Sequence, residues 1–273
     1  MTIPKLLKKG VSDEEILNLI HLGPKELVME KGSSGNSTLY FACANNVSIQ
    51  VISKLIEVGG RELVMMKGIR GNTALHAACA NRASIQVVSK LLEIGGIELL
   101  MESGNCGNTV LHTACANRAS IQVVSKLLEV GGIELLMERG SCGNTVLHTA
   151  CANKASIQVI SKLVEVGGKD LIATIDCFGN TALHTACTNN ASVKIVSKLV
   201  EVGGKELVTV KDSSQNTALL TAYKYEASTE VISRLIEIMD SRDLVEEEKS
   251  NSIGNSESHI PCQIILQPNF LQS

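Results

Sequence analysis

A glycine-asparagine pair returns every 36 residues along this chain, at Gly35-Asn36, Gly71-Asn72, Gly107-Asn108, Gly143-Asn144 and Gly179-Asn180; a sixth copy, Gln215-Asn216, keeps only the asparagine. The text behind each asparagine is nearly constant: NTALHAACAN from Asn72, NTVLHTACAN from Asn108 and Asn144, NTALHTACTN from Asn180. A fixed period of about 20–50 residues marks a stacked repeat protein, in which each copy buries its apolar face against the next. Composition agrees. Aromatics make up 2% of 273 residues and Trp is absent, so a core of large rings is excluded, while Leu, Ile, Val and Ala suit thin layers of paired helices. A net charge of −3 gives no electrostatic footprint for nucleic acid or an anionic membrane. The opening MTIPKLLKKG has no long apolar segment, and no uninterrupted apolar run approaches the ~18 residues of a membrane span. An intracellular, cytoplasmic chain is expected, with the nucleus also open to it.

The copy from Gly107 to Gly143 shows how one period is built. Thr109 precedes an apolar stretch, where its hydroxyl can cap a helix N-terminus. Leu111, Ala114 and Cys115 follow at i, i+3 and i+4, one face of a short helix whose small Ala and Cys let a neighbour approach closely. Asn117 and Arg118 break the pattern. Ser120 is a second N-cap candidate, and Ile121, Val124, Leu127 and Leu128 resume helical spacing, widened by Val123 and Val130. Lys126 and Glu129 pair at i, i+3 on the wet side. Gly131-Gly132 ends the helix, because glycine accepts a left-handed conformation. In the copy before, Glu98-Leu99-Leu100 predicts one further helical turn beyond its own Gly-Gly. Each unit is helix, loop, helix, turn, and neither helix is long enough to be stable alone.

These residues carry a family resemblance. GNTVLHTAC, from Gly107 to Cys115, resembles the ankyrin signature G-x-T-P-L-H-x-A-A, and VVSKLLEVGG, from Val123 to Gly132, resembles its I-V-x-L-L-L-x-x-G-A. The frameworks of TPR and leucine-rich repeats are absent. The resemblance spans residues 11 to about 245 and implies an all-α ankyrin-repeat solenoid of stacked helix-loop-helix units joined by β-turn or hairpin-like loops. Three departures lengthen the period beyond the family's usual ~33 residues or alter its start. Ala74, Val110, Val146 and Ala182 replace the family's Pro; Asn117 to Ser120 replaces its Gly-His; and the segment after Gly-Gly is longer.

The domain reading is a solenoid over 1–245, with a half repeat at 11–34 and full repeats starting near 35, 71, 107, 143, 179 and 215. The half repeat supplies a second helix only, and its Ser12–Glu15 pair is a capping box. Terminal copies drift: Tyr40 and Leu220 replace the histidine, and Tyr223 the cysteine. Residues 246–273 begin polar and charged and are expected to form a disordered tail.

Cys43, Cys79, Cys115, Cys151 and Cys187 share one position, and His76, His112, His148 and His184 lie three residues before theirs. H-x-x-C puts two ligand types on one helical face, but zinc needs four ligands within about 2.0–2.3 Å, and helices packed about 8–10 Å apart offer two at most per copy. These cysteines read as small buried hydrophobes, and the resemblance implies that the histidines tie the helix start to the loops. Same-position cysteines are expected to lie beyond the ~7 Å Cα limit of a disulfide. Cys106, Cys142 and Cys177 fall in turns and are the more reactive thiols. No metal, cofactor or catalytic constellation is expected, and no phosphate loop is present.

What remains is a surface. The resemblance implies protein binding along the concave side, through loop tips and the exposed face of each first helix. Carried onto this chain, that face comprises Ala77, Thr113, Thr149 and Thr185, the basic ladder Arg82, Arg118 and Lys154, and the tip residues Ile69, Arg70 and Phe178. The expected function is a non-enzymatic protein-protein interaction module, acting as a monomer, whose partner carries an acidic segment. The alternatives are a spacer or scaffold without a dedicated partner, and a regulator whose C-terminal tail holds the specificity. Against a selected surface stands near-identity: residues 81–116 and 117–152 differ only at Ile94/Val130, Ser103/Arg139 and Asn105/Ser141.

Overall fold

The computed structural model describes residues 2–32 and 35–239. The expected tail at 246–273 and the tip serines 33–34 lie outside them. The chain divides into two compact units, residues 1–141 and 142–273. All of the regular structure among the described residues is helical, apart from two isolated bridges, Lys31 with Ser37 and Ile175 with Thr181.

The first unit holds α1 (Ile3–Lys9), α2 (Asp13–Leu22), α3 (Lys25–Met29), α4 (Thr38–Ala44), α5 (Ile49–Met65), α6 (Ala74–Ala80), α7 (Ile85–Leu100), α8 (Val110–Ala116) and α9 (Ile121–Met137). Short first helices pack in one row, α1 on α4 on α6 on α8, and long second helices in another, α2 on α5 on α7 on α9. The second unit repeats the plan with α10 (Val146–Ala152), α11 (Ile157–Ala173), α12 (Ala182–Thr188), α13 (Val193–Thr209), α14 (Ala218–Lys224) and α15 (Thr229–Ile236). There α10, α12 and α14 form one row, and α11, α13 and α15 the other.

Four first helices, α6, α8, α10 and α12, start at a capping box. The Thr109 hydroxyl accepts from the His112 backbone N–H, and the Thr109 backbone N–H donates to His112 Nδ1 at 3.4 Å. The same reciprocal pair closes α6, α10 and α12. Leu111, Ala114 and Cys115 are buried as their spacing requires, and so are Leu127 and Leu128 on the second helix. Ser48, Ser120, Ser156 and Ser228 cap second helices through their side chains. The Lys126–Glu129 pair forms at 2.8 Å.

Gly-Gly ends the second helix and starts another turn. Gly96 has φ 62° and ψ −156°, a region open essentially to glycine alone. Its neighbour Gly95 is needed for space: a Cβ there would fall 2.5 Å from the Leu99 side chain. Leu99 and Leu100, in the extra turn, are fully buried.

The structure adds a helix the sequence reading lacked. Helix α1 lies ahead of the half repeat drawn at 11–34. Ile3, Leu6 and Leu7 are buried at i, i+3 and i+4, Pro4 sits in the first turn, and Gly10 stops the helix at φ 69°. Gly10 stands 36 residues before Asn46, so α1 occupies a first-helix place although its sequence retains none of the repeat signature. Lys8 reaches from it over the Phe41 ring, 4.7 Å from the centroid.

Candidate protein-binding face

The first helices and tips carry the candidate residues, and their local chemistry is set by the bonds that hold the copies together. Neutral histidine provides one such bond. In the first unit, Nδ1 of His76 accepts from Thr73, so the ring proton belongs on Nε2, which donates to the Asn108 carbonyl at 3.3 Å. In the second unit, His148 reaches Asn180 at 2.9 Å and His184 reaches Asn216 at 3.1 Å in the same way. Burial lowers the His76 pKa to about 4, against the smaller raising effects of the Asn108 bond and Glu102. His184 is lowered for the same leading reason.

Two kinds of tip occur. In the first unit the asparagine of one tip reaches forward: Asn72 Oδ1 accepts from the Asn105 backbone at 3.0 Å, and Asn108 Oδ1 from Ser141 at 3.2 Å. Glycine must stand where that side chain arrives, since a Cβ on Gly104 would fall 2.2 Å from Asn72 Oδ1 and one on Gly140 2.2 Å from Asn108 Oδ1. In the second unit Asp176 and Asp212 take the glycine's place. Each carboxylate accepts two backbone N–H groups of its own turn, Phe178 and Asn180 for Asp176 and Ser214 and Asn216 for Asp212, all at 2.8 Å. The tips then join backbone to backbone, Cys177 N–H to the Cys142 carbonyl and Ser213 N–H to the Phe178 carbonyl, both at 2.9 Å.

The ladder positions are a backbone feature first. Asn46, Arg82, Arg118, Lys154, Asn190 and Glu226 all have φ between 50° and 55°, the left-handed conformation that ends each first helix. Arg82 and Arg118 are exposed in the first unit and Lys154 in the second. Arg82 Nε donates to the Asn117 carbonyl at 2.7 Å, and Asn46 Nδ2 to the Asn81 carbonyl at 3.1 Å, so this position also ties one copy to the next.

On the helices, Thr113, Thr149 and Thr185 are half-buried, each hydroxyl bonded back to the carbonyl four residues before it. Ala77 is 2% exposed and presents no contact surface at its copy. Ile69 is 80% exposed and lies over Gly35, with Arg70 exposed beside it; Phe178 is 59% exposed. In the second unit, Thr149 and Thr185 line a groove of about 350 Å³ together with Asn153, Asn189, Asp176 and Asn180. The sequence reading left these four out. The equivalent Asn117 looked like a pattern breaker, whereas Asn153 and Asn189 each cap their helix, Nδ2 donating to the carbonyl of Thr149 or Thr185 at 2.9 Å. Their signal was the fixed place of asparagine after each A-C-A or A-C-T.

The buried cysteines offer no reactive group. Burial pushes Cys43, Cys79, Cys115 and Cys187 up to about 12. Among the described residues no three His, Cys, Asp or Glu side chains converge as a metal site would require, and no helix is long and apolar enough to cross a membrane.

A model of the ankyrin repeat matches residues 70–101 and 178–213. Ankyrin repeats therefore stand at both of these places in the chain. Among solved structures, the ankyrin repeat domain of Bcl-3, described as a unique member of the IkappaB protein family, aligns with a TM-score of 0.65 at 22% identity, over 86% of this chain and 97% of its own. The human ASB11 ankyrin repeat domain aligns at 0.67 and 20% identity, over 88% and 98%. A chain from the complex of Bd0816, a predatory endopeptidase from Bdellovibrio bacteriovorus, with immunity protein Bd3460 aligns at 0.61 and 20% identity, over 77% and 100%. At these identities the likeness is one of fold, an all-α ankyrin solenoid. No curated protein matches the chain. Ankyrin repeat domains generally mediate protein-protein interaction and are generally non-enzymatic.

Proposed function

We propose that this chain is a non-enzymatic binding module that takes a protein partner on the face made by its first helices and tips. One observation carries the reading. The groove over α10 and α12 presents threonine, asparagine and aspartate side chains at repeat spacing, a surface suited to the backbone and polar groups of a polypeptide. Exposed Phe178 at the neighbouring tip supplies an aromatic anchor of the kind that dominates binding energy. Thr113, Ile69 and Arg70 extend the reading to the first unit, and Arg82, Arg118 and Lys154 favour a partner with an acidic segment.

A photo-reactive amino acid placed at Thr149 or Thr185 is expected to cross-link the partner, and one placed at Glu165 or Glu201 on the second helices is not. Capture from the second helices alone sinks the face assignment. For the captured partner, reversing Arg82, Arg118 and Lys154 together to Glu is expected to weaken binding tenfold or more; unchanged affinity removes the ladder from the site. Glutamate suits this test because Glu226 already adopts the same backbone conformation, φ 52°. Division into a binding stack at 1–245 and a separate tail belongs to the same proposal. Loss of binding on deleting 246–273, with the fold intact, would move specificity to the tail.

A further inference from the structure

We infer that Cys142 and Cys177 form a redox-reactive dithiol, an exposed pair that a two-electron oxidant of the peroxide class closes into a disulfide between two successive tips. The two lie 35 residues apart, one short of the repeat. That offset places them at facing backbone positions, where Cys177 N–H donates to the Cys142 carbonyl at 2.9 Å. With N–Cα about 1.46 Å and a carbonyl oxygen about 2.4 Å from its own Cα, this bond keeps the two Cα atoms within about 6.8 Å. Disulfides span about 4.4–6.8 Å. The thiols are themselves hydrogen-bond partners. Both residues are exposed, unlike the five cysteines of the buried row.

The environment sets the pH at which closure runs. Local desolvation first, then the bond to Cys142 and the charge of Asp176, raises the Cys177 pKa, so closure quickens as pH rises and thiolate accumulates. One thiolate attacks the peroxide: an S–O bond forms, the O–O bond breaks, and the displaced hydroxide takes the first thiol's proton as water. The second sulfur then attacks the sulfenic sulfur. The S–S bond forms, the S–O bond breaks, and hydroxide leaves as a second water with the second thiol's proton. Two thiols lose two electrons, and one peroxide becomes two waters. The closed link would lie beside Phe178, but the dithiol does not depend on that edge binding a partner.

The full chain, reduced and dilute, is treated with one equivalent of hydrogen peroxide and read by intact mass and by sequencing of its proteolytic fragments. The expected product is monomeric, lighter by two hydrogens, joined at Cys142 and Cys177, and reopened by dithiothreitol. Cys142→Ser and Cys177→Ser should each abolish the link, and Cys106→Ser, at another exposed tip thiol, should leave it unchanged. A bifunctional arsenical should bind the reduced wild type and Cys106→Ser, but neither of the other variants. Cross-links at other cysteines, intermolecular dimers, separate oxidation of single thiols, or arsenical retention by Cys142→Ser or Cys177→Ser would each overturn the inference.

Discussion

Leu127 and Leu19 occupy comparable places in the sequence pattern and different ones in space. Leu127 is fully buried in α9, and Leu19 is 37% exposed in α2. Leu127→Ala is expected to cost about 2–5 kcal/mol and Leu19→Ala about 1 kcal/mol or less, measured by denaturant titration. Equal losses would argue against a linear stack. His76 makes a second residue-scale prediction. Its folded pKa of about 4 lies below the ordinary 6.5, so the unfolded chain binds the proton first as pH falls. Stability is complete above pH 6.5 and declines through the window down to about 4, by at most about 1.4 kcal/mol per pH unit for this histidine. In His76→Gln that part of the slope should vanish, as urea titrations at pH 7.5 and 5 would show. The structural duty of His76 was legible through the resemblance to the ankyrin signature. The left-handed conformation of Arg82 was not, because nothing in an arginine side chain announces a positive φ and the family's glycine is missing there.

At the scale of the element, the two glycines that close each second helix have separate jobs and separate signatures. Gly96→Ala meets no atom within 4 Å but is forced into the wrong backbone region, at a cost of about 1–3 kcal/mol. Gly95→Ala instead strikes Leu99. Thermal denaturation of the double variants distinguishes them: Leu99→Ala should be less costly on the Gly95→Ala background than on wild type, and should show no such coupling with Gly96→Ala. Both second helices and the extra turn at Leu99-Leu100 could be read in advance, because apolar spacing and glycine punctuation are local signals. Helix α1 could not be read by the repeat, since only Ile3, Leu6, Leu7 and Gly10 mark it. The groove residues Asn153 and Asn189 were visible as letters but not as cap and lining at once, a double role that only packing displays.

For the whole molecule, nearest-neighbour packing makes length adjustable. Removing residues 81–116 from the first unit rejoins Ala80 to Asn117 and restores the Ala-Asn junction found at Ala80-Asn81. The shortened chain is expected to keep a helical circular dichroism spectrum and unfold cooperatively at a lower denaturant midpoint; collapse to an unfolded spectrum would contradict nearest-neighbour construction. The same freedom carries a hazard. A row of near-identical copies is a head-to-tail interface repeated, and head-to-tail contacts that do not close on themselves grow into filaments. Here the outgoing bond comes from His76, His148 and His184, while the final copy has Leu220, whose backbone N–H still takes the Thr217 cap but whose side chain has no proton to send onward. The copy that carries Leu220 thus lacks the imidazole N–H by which those copies tie on the next.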